Sequence, residues 1–519
     1  MPPRSKFGVR RTGRRFCLVA VNQSDDESPH SIETPILTVI DGSPNICAVS
    51  RFGRYPMRRF QLLLALICCA MAHSALAQTK IANPETSRTN EATAGETPRG
   101  GDSPDNKTAM QLFEEAGNYS RKKFEAFEKL KMPYDDQLKR KIDKEQRDLA
   151  ARYAVALAAR KPSGTDVYYL GMLYNLAGQP DGAFDALRRF LDDNPEVKGE
   201  PAQNARALVV INAAKKGALA EAETRLKQYA ADQPQVAEDR YSLENWMTVS
   251  YFNAKDYEHA LPHAQQLWIA AQAAAKEKRS FARDAMLNDA ALSLSEIDLK
   301  LKKKTEAISL IQDLRKLALS LPSGNLYKLA LRRLVQIDEN LDLFANFDQA
   351  APAGGAAPGG APPEITADEW IDRAAIKLSQ LRGQVVLLDF WATWCGPCRA
   401  TLPRFQKFHE QFKDKGLVII GLTTFQGRIE GRQFTHAQEL QYLRDFKKQF
   451  GVTYGFAVSD DDNNDLNYAV SSIPTTFLID RRGAVRFISI GSSDFEAAAL
   501  NKMIKKLIAE PALPNGAGN

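Results

Sequence analysis

The segment "VVLLDFWATWCGPCRATLP" constrains the fold of this 519-residue chain more tightly than any other stretch. Its first six residues, Val385–Phe390, are apolar apart from one aspartate, which is typical of a central strand covered on both faces. A helix is expected from about Gly396, because apolar residues then recur at helical spacing, at Leu402, Phe405, Phe408 and Phe412. The pair Cys395 and Cys398 therefore lies in a strand–turn–helix unit, where the helix begins.

The chemistry of this Cys-x-x-Cys pair could be metal binding, a structural disulfide or electron exchange. A structural zinc site needs four ligands, commonly two such pairs, and the sequence has no second pair of this spacing. A purely structural disulfide would close a very short loop and stabilise little. The free amides at a helix N-terminus favour a thiolate at Cys395, and Cys398 lies one turn on, where it can resolve a mixed disulfide. An exposed redox pair is therefore predicted, with Gly396 and Pro397 shaping the turn.

The long segment 107–348 has helical periodicity and few strand signals. One stretch has the residue offsets of a tetratricopeptide repeat, at Leu170, Gly171, Tyr174, Ala183 and Pro195. Fainter matches follow, at Tyr251 with Ala260, at Ala222, Leu226 and Pro234, and at Ala307, Ile311 and Leu314. We predict a tetratricopeptide-like helical array, with a non-repeating helical bundle as the alternative. Either arrangement would offer a surface to a protein partner.

The N-terminal part of the chain has the pattern of a targeting segment. Residues 57–77 have the basic start, the apolar run and the Ala75-x-Ala77 ending of a secretory signal peptide, which predicts export to the periplasm or another extracytoplasmic space, with cleavage after Ala77. The alternatives are a buried helix or an uncut membrane anchor. Residues 1–56 are interpreted as a non-native or disordered extension. Of the six cysteines, the exported chain would keep only Cys395 and Cys398.

Composition marks the remaining boundaries. Residues 78–106 are polar and rich in Pro, Gly, Thr and Glu, and are predicted to be a disordered linker. Residues 349–364 form a second linker, rich in Ala, Pro and Gly, and residues 513–519 a disordered tail. Between them, strand and helix patterns alternate over residues 365–512. Within this region Leu417–Leu422 predicts a second core strand, and Thr475–Asp480 with Ala484–Ile490 predicts an antiparallel hairpin.

Charge and ligand patterns exclude several function classes. The formal net charge of +6 lies almost entirely in the first 60 residues, so a nucleic-acid partner is not expected. His259 and His263 are four apart, but Pro262 interrupts the spacing, and ordinary helix surface is expected there. Residues Asp460–Asp465 lack the glycine and glutamate of a calcium-binding EF-hand loop. No metal site and no other cofactor is predicted.

Four segments resemble the TlpA-type periplasmic thiol–disulfide oxidoreductases of the thioredoxin superfamily: "LLDFWATWCGPCRATLP", "LSQLRGQVVLLDFWATWCGPC", "GLVIIGL" and "AVSSIPTTFLIDRRG". The resemblance covers about residues 365–510 and does not extend to the helical region. It implies an α/β thioredoxin-like domain over those residues. Together with the helical pattern of residues 107–348, the predicted fold class is a multidomain chain, in which an α-helical, tetratricopeptide-like array precedes this domain.

The resemblance also implies roles for residues around the cysteine pair. Pro474 matches the cis-proline beside the active-site sulfurs, and the backbone of Ile473 would pair with an extended substrate strand. Asp389 matches a buried acid of thioredoxin and would take the proton from Cys398 during resolution. Many TlpA-type proteins instead carry Glu three residues after the second cysteine, where this chain has Thr401.

Two aromatic residues flank the site in this resemblance. Trp391 and Trp394 would shield one side of the sulfurs, although Trp391 also fits a core position.

A peroxiredoxin, from the same superfamily, needs Thr or Ser three residues before its reactive cysteine and Pro seven before it. This chain has Ala392 and Leu388 there, so peroxide reduction is not expected as the main activity.

The combined reading predicts an exported enzyme that reduces or exchanges protein disulfides through Cys395 and Cys398. Its partners would be a disulfide-containing client, a membrane thiol electron donor and a protein bound to the helical repeats. The alternative is a scaffold, in which the thioredoxin-like domain docks partners without turnover.

Overall fold

The computed structural model describes residues 104–132, 135–343, 361–429 and 431–511. The predicted signal peptide, the cleavage site after Ala77, the extension 1–56 and the tail 513–519 lie outside the described residues, as do most of the two predicted linkers. Within the described ranges, no helix has the length and apolar character needed to span a bilayer.

The N-terminal part of the described chain is helical, as predicted. Its helices are α1 (Ala109–Gly117), α2 (Tyr119–Lys129), α3 (Asp136–Ala159), α4 (Thr165–Leu176), α5 (Pro180–Asp193), α6 (Glu200–Lys215), α7 (Leu219–Ala230), α8 (Ala237–Asn253), α9 (Tyr257–Ala274), α10 (Ser280–Lys300), α11 (Lys304–Ser320) and α12 (Gly324–Ile337). Neighbouring helices in this order pack on one another along the array.

Helix α5 illustrates how local sequence sets these elements. Pro180 occupies the first helical position, where its missing amide costs nothing. The buried face repeats at helical spacing, through Phe184, Leu187, Phe190 and Leu191. The helix ends at Asp193, just before Asn194 and Pro195, as the sequence predicts.

The close approach of α4 and α5 depends on small residues at the predicted repeat positions. A Cβ on Gly171 would lie 2.6 Å from side-chain atoms of Leu187, so any larger residue at position 171 would overlap α5. Ala183 on α5 is fully buried. Gly171 and Ala183 therefore allow α4 and α5 to pack closely, while the tetratricopeptide assignment of the whole array stays a prediction.

His263 corrects the expectation of ordinary helix surface. Its ring is buried, with Nδ1 2.7 Å from a carboxylate oxygen of Glu244 on α8 and Nε2 2.8 Å from Glu223 on α7. Pro262 does not interrupt α9, which continues through it. His263 therefore falls on the inward face of α9, where two acids pair with it. His259, one turn earlier, is on the exposed side, as predicted.

The C-terminal part is an α/β domain built on a six-stranded sheet in the order β1-β6-β3-β2-β7-β8. These strands are β1 (Glu369–Ile371), β2 (Val385–Phe390), β3 (Leu417–Thr424), β6 (Gly455–Ser459), β7 (Thr475–Ile479) and β8 (Val485–Ile490), and a separate small hairpin pairs β4 (Arg428–Ile429) with β5 (Arg432–Gln433). Strand β2 is parallel to β3 and antiparallel to β7. The predicted central strand and the predicted β7–β8 hairpin are confirmed.

Four α-helices accompany this sheet: α13 (Gly396–Phe412), α14 (His436–Phe450), α15 (Asn463–Asn467) and α16 (Asp494–Ala509). The apolar residues that predicted α13 include Leu402, Phe405 and Phe412, all of which are buried. Together the sheet and helices confirm the predicted thioredoxin-like α/β fold class.

The array and the α/β domain share one core. A single cluster of buried apolar side chains includes Leu326, Tyr327 and Leu334 of α12 together with Phe477 and Ile488 of the sheet. The described residues all fall within one compact unit. The last helices of the array therefore pack on the α/β domain and bury apolar surface that neither part could cover alone.

The C-terminal end of the predicted second linker is attached to the α/β domain. The Tyr468 hydroxyl donates to the Pro363 carbonyl at 2.6 Å. The Glu364 carboxylate accepts from the amides of Leu378, at 2.6 Å, and Ser379, at 3.0 Å. These residues lie within the predicted range 349–364, of which residues 349–360 are outside the described residues.

Candidate active site

The cysteine pair lies where β2 gives way to α13. Cys395 is the N-cap of α13, and its Sγ accepts a hydrogen bond from the Cys398 amide at 3.2 Å. The two sulfurs form a disulfide, with the Cα atoms 5.2 Å apart. Pro397 occupies the first turn, where its missing amide leaves no helical bond unmade. The predicted position of Cys395 at a helix N-terminus is therefore confirmed.

The prediction that Cys395 is exposed is wrong for this oxidised pair. Cys395 is 4% exposed and Cys398 is fully buried. The Cys395 sulfur is bonded to the sulfur of the fully buried Cys398. The adjacent exposed surface is formed by Trp394, Gly396 and Pro397.

The two tryptophans have different surroundings. Trp394 is 64% exposed, and its indole Nε1–H donates to Gln426 Oε1 at 3.0 Å. Trp391 is buried, with its ring 4.7 Å from that of Phe456 and 5.5 Å from that of Phe446. Trp394 therefore belongs to the surface beside the cysteines, and Trp391 fills the core position that was its alternative assignment.

Asp389 is a buried carboxyl group in the middle of the sheet. Its neighbour on β7 is Thr476, whose hydroxyl donates to Asp389 Oδ1 at 3.0 Å. The other carboxyl oxygen, Oδ2, has no hydrogen-bond partner among the described residues. Because burial disfavours the charged form, the pKa of Asp389 rises to about 7. The predicted buried acid is therefore present, and it can gain or lose a proton near neutral pH.

The Ile473–Pro474 peptide bond is cis, as predicted. Thr475, the next residue, pairs with Phe390 at the end of β2 that leads into the cysteine segment, so the proline and the cysteines lie at the same end of the sheet. The Pro474 carbonyl accepts from the Gly491 amide at 2.9 Å. The backbone N–H and C=O of Ile473 bond to no other described residue, which leaves them available to an extended peptide.

The sequence alternatives for the pair involve further residues, each with its own place in the structure. Throughout the described ranges, no group of three or more His, Cys, Asp and Glu side chains has the arrangement of a metal site. Ala392 and Leu388, at the positions where a peroxiredoxin has its hydroxyl residue and its proline, are buried apolar side chains. Thr401, at the glutamate position of many TlpA-type proteins, donates its hydroxyl to the Cys398 carbonyl at 2.7 Å.

Sequence reasoning missed the partners of two predicted site residues. Thr476, which bonds Asp389, comes from a strand 87 residues later, and Gln426, which bonds Trp394, follows β3. The alternation of side chains along β7 was the available signal for Thr476, because a polar residue at a buried position usually has a polar neighbour on the next strand. No comparable signal marked Gln426.

Known proteins share this C-terminal sequence. The AhpC/TSA family matches residues 358–488. A thiol-disulfide oxidoreductase ResA of Bacillus thuringiensis is 31% identical over 132 residues, which are 25% of this chain and 68% of that protein. This chain belongs to the ResA-like thioredoxin family.

A second ResA relative, from Oceanobacillus iheyensis, is 31% identical over 126 residues, or 24% of this chain. The chain spans 58% of the length of that relative. A solved thiol-disulfide isomerase of Corynebacterium glutamicum is 24% identical, with a TM-score of 0.25, and the match covers 29% of this chain and 98% of that chain. The AhpC/TSA match begins after the last helix of the array, which ends at Ile337, and it includes all eight described strands of the α/β domain except the last two residues of β8.

Proposed function

We propose that this chain is an exported thiol–disulfide oxidoreductase that reduces or exchanges disulfides in client proteins. The observation that carries the proposal is the Cys395–Cys398 disulfide at the N-terminus of α13, with the buried Asp389 carboxyl on the strand that leads into it. The names of the ResA relatives support the same chemistry.

The first step uses the reduced enzyme. The Cys395 thiolate attacks one sulfur of the client disulfide, the client S–S bond breaks, and the second client sulfur leaves as a thiolate. The amides at the start of α13 stabilise the Cys395 thiolate before attack, because they are unpaired donors at the positive end of the helix dipole. The product is a mixed disulfide between Cys395 and the client.

The second step releases the client. Cys398 loses its proton and attacks the Cys395 sulfur, the mixed disulfide breaks, and the client leaves with both sulfurs reduced. The enzyme has then lost two electrons and holds the Cys395–Cys398 disulfide. Asp389 accepts the Cys398 proton, since a carboxyl group with a pKa near neutrality can both take up and release it.

The surface around the pair would bind the client. Trp394, Gly396 and Pro397 are exposed beside the disulfide, and the free backbone groups of Ile473 lie next to cis-Pro474. An extended client segment can add to this backbone as an extra strand, which gives affinity without demanding one sequence.

Export and partners complete the proposal. The signal-like segment 57–77 supports export, and disulfide-bearing clients are found in the compartments to which such segments lead. In an oxidising compartment the Cys395–Cys398 disulfide has to be reduced again, which requires a membrane thiol donor, and the helical array would bind a protein partner. N-terminal sequencing of the exported chain, expected to begin at Gln78, tests the export step.

Insulin reduction tests the proposed activity. We use a chain that starts at Gln78, so that Cys395 and Cys398 are its only cysteines, with dithiothreitol as the electron source. Cys395→Ser should lose nearly all catalysed turnover, because the attacking sulfur is gone. Cys398→Ser should instead accumulate a covalent mixed disulfide, because resolution fails. Equal rates for wild type and Cys395→Ser would leave only the scaffold alternative.

A further inference from the structure

We propose that helix α12 of the array forms one wall of the client site, and that Lys328 and Arg332 on this helix select clients with acidic residues beside their disulfide. The inference rests on the proposed disulfide exchange and adds a specificity to it. It starts from the contact between α12 and the segment that leads into cis-Pro474.

The first turn of α12 is anchored on the ResA-like domain. The Gly324 amide donates to the Tyr468 carbonyl at 2.9 Å, and the Asn325 amide donates to the Ala469 carbonyl at 2.7 Å. Amides in the first turn of a helix have no partner within the helix, so these two carbonyls satisfy donors that would otherwise be unpaired. The backbone just before the cis-proline is thereby bonded directly to the array.

The array side fixes the same turn. Ser323 is the N-cap of α12, and its Oγ accepts from the Leu326 amide at 3.0 Å. The Ser323 hydroxyl also donates to Asp284 of α10, which is completely buried. Helix α12 is therefore held in one orientation by polar contacts on both sides.

Space at this contact is tight. A Cβ on Gly324 would lie 3.2 Å from the Thr475 side chain and 3.5 Å from the Ala469 carbonyl oxygen. Since Thr475 directly follows cis-Pro474, α12 packs directly against the proline segment. A client that pairs with the backbone of Ile473 would therefore meet α12.

Two cations project from α12 at this place. Lys328 Nζ donates to the Ser472 hydroxyl at 3.0 Å, two residues before Pro474. Arg332 follows one turn later on the same side of the helix and is exposed. Within the described part of the chain, neither Lys328 nor Arg332 forms an ion pair with a carboxylate.

This charge arrangement identifies the occupant. Two cations without a protein carboxylate, beside a backbone that can receive an extended strand, complement a client segment with Asp or Glu near its cysteine. Lys328 Nζ has two further N–H donors besides the one that Ser472 accepts, so it can bond such a carboxylate as well. The wall would therefore favour acidic clients and disfavour basic ones.

Two synthetic peptides test the selection. Both contain the same intramolecular disulfide, flanked by three Glu in one peptide and by three Lys in the other. The reduced wild-type chain from Gln78 should react with the acidic peptide about tenfold faster at low salt, and added salt should remove the preference. The double variant Lys328→Glu/Arg332→Glu should reverse the preference, whereas Lys328→Arg should keep it.

Two controls isolate the client wall from the cysteine chemistry. The uncharged 2-hydroxyethyl disulfide should react at equal rates with wild type and the double variant. Lys139→Glu/Arg140→Glu on α3 makes the same change in net charge and should keep the wild-type preference. Equal rates for the two peptides, or a loss of rate with 2-hydroxyethyl disulfide in the double variant, would overturn the proposed wall. No reaction of wild type with any disulfide would instead contradict the proposed function.

Discussion

Asp389 in the ResA-like domain and Glu244 in the helical array are both carboxyl groups with almost no solvent exposure, at 0% and 1%. Their surroundings differ. Glu244 contacts two cationic partners: Arg240 at 2.6 Å and His263 at 2.7 Å. Asp389 has one hydrogen bond, from Thr476, and an oxygen with no partner among the described residues.

The difference shows what each buried acid can do. Glu244 has a cationic partner on each carboxylate oxygen, and its contact with His263 links α8 to α9. The acids around His263 also raise the pKa of its ring against the effect of burial, so the His–carboxylate contacts favour the charged imidazolium. A carboxyl group with a single weak partner is destabilised as an ion and can change its protonation during a reaction.

The largest expected change in stability follows from removing Glu244, the paired acid. Glu244→Ala removes the carboxylate that the buried His263 and the partly buried Arg240 share, which should lower the free energy of unfolding by about 3–5 kcal/mol. Urea unfolding measures the change. The control Glu128→Ala removes an exposed acid of α2 and should change stability by less than about 0.5 kcal/mol. Similar losses for both variants would show that the buried pairing adds nothing.

Removing the charge of Asp389, the acid with an unpaired oxygen, should instead increase stability at high pH. Burial raises the Asp389 pKa from 3.8 to about 7, so wild-type stability should fall as the pH rises through this window, by about 4 kcal/mol in total. Asp389→Asn removes this dependence, since the amide carries no charge. The buried side chain of Asp389→Asn would leave amide hydrogens unpaired, which offsets part of this gain. The oxidised variant should therefore be about 2 kcal/mol more stable than wild type at pH 8.

A second buried acid in the same domain provides the matched control. Asp480 bonds Arg486 at 2.9 Å and accepts from the amides of Arg482 and Ala484. Asp480→Asn should therefore destabilise the protein at pH 8, where Asp389→Asn stabilises it. Urea unfolding at pH 5 and pH 8 distinguishes the two, and a stability gain in both variants would contradict the comparison. Release of the client from the mixed disulfide should also be slower in Asp389→Asn.

The smallest expected change in stability comes from an uncharged substitution that tests helix packing in the array. Gly171→Ala would place a Cβ 2.6 Å from Leu187, so α4 and α5 have to move apart, at a cost of about 1–3 kcal/mol. Gly117→Ala, at the end of α1, meets no atom within 4 Å and should be neutral or slightly stabilising. Thermal unfolding of the two variants gives the difference. No loss in Gly171→Ala would mean that α4 and α5 are more loosely packed than the contact implies.

Parts of the fold were predictable because their signals are local. The apolar run of β2 and the helical spacing after Gly396 occupy one contiguous segment, and both elements were predicted within it. Strand β6 (Gly455–Ser459) and strand β1 (Glu369–Ile371) were missed, because at five and three residues each is too short to establish a period.

The candidate site also has features that were predictable from local sequence and features that were not. Cys395, Cys398 and the cis peptide at Pro474 were predictable from motifs. The burial of Cys395 was not predicted, because the exposure of a side chain depends on the packing of the whole domain and not on the motif alone. The environment of His263 was also wrongly predicted, since Glu223 and Glu244 belong to other helices.

The sequence alone determined the strand–turn–helix unit, the cysteine spacing and the helical character of the array, because each depends on residues a few positions apart. Only the tertiary structure decided which buried acids are paired and that α12 bonds the backbone before cis-Pro474. Asp389 and its partner Thr476 are 87 positions apart, and Lys328 of α12 and its partner Ser472 are 144 positions apart. Local pattern carries no information about such pairs, since packing of the whole chain brings them together.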